Sequence, residues 1–205
     1  MKRIFIAVKL PEEVKREIER IQNLVDTENK KFSVSQTSNK PASLGVGNTQ
    51  KVREKENLFS GKFTKLENLH LTLKFLGEIE DEKIEEITRR LEKVNIKKFE
   101  GELTETGIFS ENFVRIIWLH LNGCDYLQKK IDESLKELFE KEKRFMSHVT
   151  IARVKGVKDK KKLLDFIKTL KIEKMKFPVN EFYLMDSELR EEGPVYKELG
   201  VFELK

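Results

Sequence analysis

Three histidines occur in the 205 residues, and two of them head the same tetrapeptide pattern, His70-Leu71-Thr72-Leu73 and His148-Val149-Thr150-Ile151. Histidine, apolar, threonine, apolar would arise by chance at two of three histidines at roughly 3 in 100,000. Even after a generous discount for choosing the pattern on sight, coincidence accounts poorly for the pair. Side chains alternate along a strand, so each tetrapeptide puts its imidazole and hydroxyl on one face and two apolar anchors on the other. Two such strands facing each other would make a four-residue site on rigid elements.

Two imidazoles suit a reaction in which one proton is removed and another delivered near neutrality. Phosphodiester cleavage is such a reaction. One neutral ring activates water, and one protonated ring keeps the leaving oxygen from departing as an alkoxide. The Thr72 and Thr150 hydroxyls would hydrogen-bond non-bridging phosphate oxygens. The residue types leave open which ring is the acid, because a close pair titrates as a unit. No metal or other cofactor is called for. A zinc site is disfavoured, since two histidines without Cys, Asp or Glu at ligand spacing fall short of the usual three protein ligands. His120, with Asn122 rather than threonine two residues on, is read as a structural or surface histidine, and Trp118 as core. Arg153, two residues beyond Ile151, is read on strand parity as turning to the His-Thr face as an anion ligand, with a strand-end surface arginine as the rival reading. Phe75, two beyond Leu73, is read into the core.

These residues need elements to hold them. Residues 2–8 are rich in Ile, Phe and Val and predict a strand. Val14, Ile18, Ile21 and Val25 then recur at helical spacing. Residues 69–76 predict a strand, and Asp81 would cap a helix whose stripe is Ile84, Ile87, Leu91 and Val94. Residues 99–107 supply a further strand. The order then repeats: a strand over 113–121, a helix marked by Leu127, Ile131, Leu135, Leu138 and Phe139, a strand over 147–154, a helix capped by Asp159 with Leu163, Leu164, Ile167 and Leu170, and a strand over 172–179. His148 lies 78 residues after His70, and Asp159 lies 78 after Asp81 (148 − 70 and 159 − 81). A duplicated unit of this kind would pair its copies about a pseudo-twofold axis with equivalent strands across a central groove. Residues 27–57 break the pattern. They are dominated by Ser, Thr, Asn, Gln and charged residues, and read as a polar, mobile insertion within one domain spanning 1–205.

Lys and Arg number 41 against 36 Asp and Glu, a net charge of +5 that favours a polyanionic partner. The lysines at 158 and 160–162 would add to that attraction or form a solvated face. With 38% hydrophobic and 38% charged residues, the chain lies outside the disordered class. It has no apolar run near the ~18 residues a membrane span needs. The apolar stretch 4–8 is shorter than the roughly 7 to 15 residues of a secretory signal core. One cysteine, Cys124, makes no internal disulfide, and a cytosolic protein is expected. The Lys and Glu content fits a thermophile's surface.

The chain resembles the 2H phosphoesterases, and within them the RNA 2′,3′-cyclic phosphodiesterases, also called 2′-5′ RNA ligases. The likeness rests on residues 3–7 (RIFIA) with Leu10-Pro11, 68–77 (NLHLTLKFLG), Gly107-Ile108-Phe109 with 114–118 (VRIIW), 148–153 (HVTIAR) and 187–196, and it spans all but residues 27–57. It implies an α+β fold of two pseudo-duplicated lobes, with antiparallel sheets lining a central cleft and helices outside. It further implies His70 as proton donor to the 3′ oxygen, His148 as the acceptor that activates water, and a 2′-phosphate product. Tyr196, after Gly193-Pro194, would lie at the cleft edge or be a half-buried turn residue. The implied substrate is RNA with a 2′,3′-cyclic phosphate or 2′-5′ linkage, tRNA fragments included, taken by a monomer with no membrane partner. A non-catalytic RNA-end-binding protein and a phosphodiesterase for small cyclic nucleotides are the rival expectations.

Overall fold

The computed structural model describes residues 1–31, 33–36, 52–55 and 57–205. The first half runs through β1 (Lys2–Lys9), α1 (Glu12–Lys31), the paired short strands β2 (Ser33–Gln36) and β3 (Val52–Lys55), and β4 (Phe59–Phe63). It continues with β5 (His70–Ile79), α2 (Asp81–Leu91) and β6 (Phe99–Ile108). The second half runs β7 (Ile116–Asn122), α3 (Asp125–Ser134), β8 (His148–Val157), α4 (Lys160–Thr169) and β9 (Met175–Val179). The hairpin β10 (Glu181–Arg190) and β11 (Gly193–Glu203) follows. The fold is α+β. Its antiparallel strands order as β11-β10-β1-β5-β8-β7-β6-β9, with β4 also on β8. The two expected sheets are thus one, joined where Leu71 faces Val149.

The halves also interlock underneath. α1 packs on β8 of the other half, and α3 on β5. Amphipathic spacing explains the buried stripes: Val14, Ile18, Ile21 and Val25 on α1, and Leu127 and Ile131 on α3, are all in one hydrophobic core with Leu71, Leu73, Val149 and Ile151. Gln22 of α1 donates to the Ile151 carbonyl at 2.8 Å, and Asp132 of α3 accepts from Lys74 at 2.5 Å. Each histidine strand is therefore held from below by a helix of the other half.

Both strands bulge at the same place in the motif. On β5, Ala7 faces Thr72 and Ile6 faces Lys74; on β8, Trp118 faces Thr150 and Ile117 faces Ala152. Leu73 and Ile151 are the extra residues. A bulge sends two successive side chains to one side and reverses the alternation beyond it. Leu73 with Lys74, and Ile151 with Ala152, accordingly turn inward, while Phe75 and Arg153 turn outward. This corrects the assignment of Phe75 to the core: its side chain is 69% exposed. It also supplies the reason Arg153 reaches the histidine face. Counted strictly, residue 153 has the parity of Ile151, and the bulge turns it over.

Lys74 is buried by the same device, and its Nζ also donates to the Glu140 carbonyl at 2.6 Å. Burial would raise the Asp132 carboxyl, but hydrogen bonds from Lys74, Gln128 and the Glu142 amide hold it below the usual range. Breaking a buried pair strands a charge, whereas removing both charges does not. Lys74→Met is therefore expected to cost about 3 to 5 kcal/mol in urea denaturation. Adding Asp132→Asn should recover most of that; a double variant as unstable as the single one would refute the pairing.

Other differences are local. Asp159 caps α4 as expected, its Oδ1 accepting from the Lys162 amide at 2.9 Å. Asp81 does not cap: it is the first residue of α2, behind Glu80, and lies 3.5 Å from Lys2. The strand expected from 113 starts at Ile116, and Phe113 is exposed. α1 runs to Lys31, five residues into the segment read as an insertion, and Asn29 there accepts from the Phe59 amide at 2.8 Å. The expectation of mobility for the rest falls largely on residues 32, 37–51 and 56, which lie outside the described residues.

Candidate active site

The face turned away from the helices carries the polar motif residues in two rows. Continuing the Leu71–Val149 register puts His70 beside Thr150 and Thr72 beside His148. On the next strand, His120 is paired with His148 and Trp118 with Thr150; on the other flank, Lys9 is paired with His70 and Ala7 with Thr72. Directly opposed side chains share a face with Cβ atoms ~5 Å apart. One row is thus Ala7, Thr72, His148, His120 and the other Lys9, His70, Thr150, Trp118.

The rings of the two tetrapeptides are oriented alike. His70 Nδ1 donates to the Asn68 carbonyl at 2.8 Å, and His148 Nδ1 to the Met146 carbonyl at 2.7 Å. With those protons committed, each neutral ring turns an Nε2 lone pair to the cleft. The Thr72 hydroxyl donates to His70 Nε2 at 3.0 Å. Among the described residues, His148 Nε2 has no protein partner.

The aromatic wall explains the electrostatics. The Phe5 ring lies 4.9 Å from His70, and Tyr196 stands edge-on to it at 5.1 Å. Burial pushes His70 down to about 4, against the pull of the Asn68 carbonyl and with help from the positive charges of Arg153 and His148. His148 is also lowered, first by burial and then by the charges of His120 and Arg153, with the Met146 carbonyl opposing. Burial likewise raises the Tyr196 phenol, against Arg153 and Arg3. Beside His70 opens a cavity of about 640 Å³ lined by Phe5, Lys9, Lys15, Asn68 and Tyr196 among others.

The other flank is closed by Trp118, 9% exposed, whose ring lies across Gly107. A Cβ at Gly107 would sit 2.3 Å from an indole ring carbon. Gly107→Ala is therefore expected to cost about 1 to 3 kcal/mol in thermal denaturation; an unchanged melting temperature would show that the indole has room to move.

The structure brings His70, Thr72, His148 and Thr150 to one surface, adds Arg153 through the bulge, and sets Tyr196 against His70. Tyr196 lies within strand β11 rather than a turn. Sequence reasoning missed Phe5 and Phe75, whose rings are 6.1 Å apart, Phe109, 4.9 Å from His148, and the placement of His120. A signal for Phe75 was present: it lies 78 residues before Arg153, so the two should have been read alike. No such signal exists for His120, whose place depends on strand pairing.

A family model described as LigT-like phosphoesterase matches residues 48–118 and 124–196, one tetrapeptide falling in each block. The RNA 2′,3′-cyclic phosphodiesterase of Methanocaldococcus jannaschii is 32% identical over 200 residues, covering 95% of this chain and 96% of the relative. That of Thermotoga maritima is 36% identical over 149 residues, covering 69% and 78%. Among solved structures, Escherichia coli LigT complexed with 3′-AMP superposes with a TM-score of 0.68 at 19% identity, covering 100% of this chain and 98% of that one. The protein TT0787 of Thermus thermophilus gives 0.67 at 24% identity, covering 98% and 97%. At these identities the two structures speak for the fold.

Proposed function

The chain belongs to the LigT-like phosphoesterase family, and we propose that it opens 2′,3′-cyclic phosphates at RNA ends to 2′-phosphates by two-histidine acid–base catalysis without a metal ion. The observation that carries this reading is the pair of imidazole–hydroxyl couples on adjacent strands, both rings anchored through Nδ1 so that Nε2 meets the cleft. His148 Nε2 takes a proton from water as its oxygen attacks phosphorus. The P–O3′ bond breaks on the far side, and His70, protonated at Nε2, delivers its proton to O3′. Thr72, Thr150 and Arg153 hold the non-bridging oxygens, whose negative charge grows in the transition state. Tyr196 and the cavity beside His70 receive the nucleoside that carries O3′. With a 5′-hydroxyl in place of water, the same steps join strands through a 2′-5′ linkage.

The test is hydrolysis of an oligonucleotide ending in a 2′,3′-cyclic phosphate, with and without EDTA. Turnover insensitive to EDTA and a 2′-monophosphate product are expected. Abolition by EDTA would sink the metal-free mechanism, and a 3′-phosphate product would reverse the identity of the leaving oxygen.

A further inference from the structure

We infer that His120 and the indole N–H of Trp118 form a subsite for the strand that supplies the 5′-hydroxyl in 2′-5′ joining, gripping its first phosphodiester. The inference rests on the reading above and adds a second binding side to it. In-line displacement puts entering and leaving oxygens on opposite sides of phosphorus. With O3′ on the His70 side, over β1 and β11, an entering strand must come over His148 and onto β7.

What it meets there is His120, in register with His148 on the same face. Its Nδ1 is 3.1 Å from the Thr104 hydroxyl of β6, which steadies the ring, and among the described residues its Nε2 has no protein partner. In the adjoining row stands Trp118, in register with Thr150. Its indole nitrogen is the one buried side-chain polar atom without a hydrogen-bond partner among the described residues. A buried donor without a protein acceptor is uncommon, and a phosphate oxygen brought by an entering strand would satisfy it. The Phe109 ring, half exposed, lies 5.9 Å from Trp118 and 4.9 Å from His148, where an entering chain would displace it or stack on it. A structural histidine bonded to Thr104 would account for His120 alone. It leaves the neighbouring orphan N–H unexplained, whereas an oxygen-rich anion across the two satisfies both.

The chemistry balances without a further reactant. The 5′-oxygen bonds to phosphorus as the P–O3′ bond breaks, the hydroxyl proton passes to His148, and His70 protonates O3′. Cleavage of a 2′-5′ junction is the same path backwards, so it reads the same subsite.

The experiment compares two reactions in each variant: hydrolysis of a cyclic-phosphate end and cleavage of an RNA oligonucleotide containing one 2′-5′ junction. Taking their ratio cancels any effect that passes through His148. His120→Ala should lower the ratio of junction cleavage to hydrolysis by at least ~10-fold, chiefly through KM for the junction. His120→Arg, which supplies an N–H donor at the same place, should restore it to within about threefold. Trp118→Phe, which keeps the ring but not the N–H, should lower it by about fivefold. Equal loss of both reactions in His120→Ala would mean that His120 only tunes His148 and would overturn the subsite, as would an unchanged ratio. Wild-type protein that hydrolyses cyclic ends but leaves the junction intact would also overturn it, with the hydrolase reading still standing. Failure to hydrolyse cyclic ends would remove that reading itself.

Discussion

His70→Ala and His148→Ala should each lower kcat for cyclic-phosphate hydrolysis by at least ~100-fold, while a 2′-phosphorylated product analogue still binds within about tenfold of wild type. Binding survives because Thr72, Thr150 and Arg153 remain on the histidine face to hold phosphate oxygens. The two losses should not multiply. Both rings act on one displacement, so the double variant should fall little below the worse single one, as for groups that work as a unit. The pH profile assigns the roles. A base must be unprotonated, so removal of His148 should erase the loss of rate at low pH. An acid must be protonated, so removal of His70 should erase the loss at high pH. Either variant within about fivefold of wild type would deny that ring a proton-transfer role. Interchanged limbs would keep the dyad but exchange the acid and the base.

How much of this could be read beforehand follows the range of the forces involved. The paired tetrapeptides, the 78-residue offset and the apolar stripe of α1 are local periodicities, and they were legible. The other stripes were read too long, since Val94 lies past the end of α2, Leu135, Leu138 and Phe139 past that of α3, and Leu170 past that of α4. The bulges were not. An extra residue at Leu73 or Ile151 leaves no mark in composition, since both positions are apolar and both stay buried; only the partners across the ladder reveal it. Phe75 was therefore assigned to the wrong face, and Arg153 to the right face by a count that strict alternation does not support. Lys74, too, reads as a surface lysine until α3 from the other half brings Asp132 beneath it. The hairpin of β10 and β11 was missed as an element although its residues contributed to the family resemblance. Its tip and outer positions are exposed and charged, so its apolar alternation is weak beyond Met185. His120 shows the limit most clearly: nothing near it in sequence distinguishes it from a surface histidine, and pairing across β7 and β8 alone sets it beside His148.

The second large effect is an acid-shifted profile for kcat/KM. With His70 at about 4 and His148 also lowered, both rings of the free protein are neutral at pH 7. The productive form, with His70 protonated and His148 not, is then scarce, and protonating His70 there costs about 4 kcal/mol. A bound phosphate anion can supply that much. Opposite unit charges ~4 Å apart attract by about 4 kcal/mol at an effective dielectric of 20. Substrate binding should therefore take up a proton, and the sign follows. Since kcat/KM reports the free protein, it should fall as pH rises above neutrality, approaching tenfold per pH unit. The alkaline limb of kcat reports the complex, in which the anion raises His70, and should lie at least about one pH unit higher. Because Phe5 and Tyr196 exclude water from His70, Tyr196→Ala should raise the His70 titration, followed by NMR of its ring protons, by readmitting solvent. Profiles of kcat/KM and kcat in the wild-type protein, with the His70 titration in wild type and Tyr196→Ala, decide the matter. Coincident alkaline limbs in the wild-type protein would show that the anion does not charge His70. A His70 titration unmoved in the variant would show that the aromatic wall is not what holds the imidazole neutral.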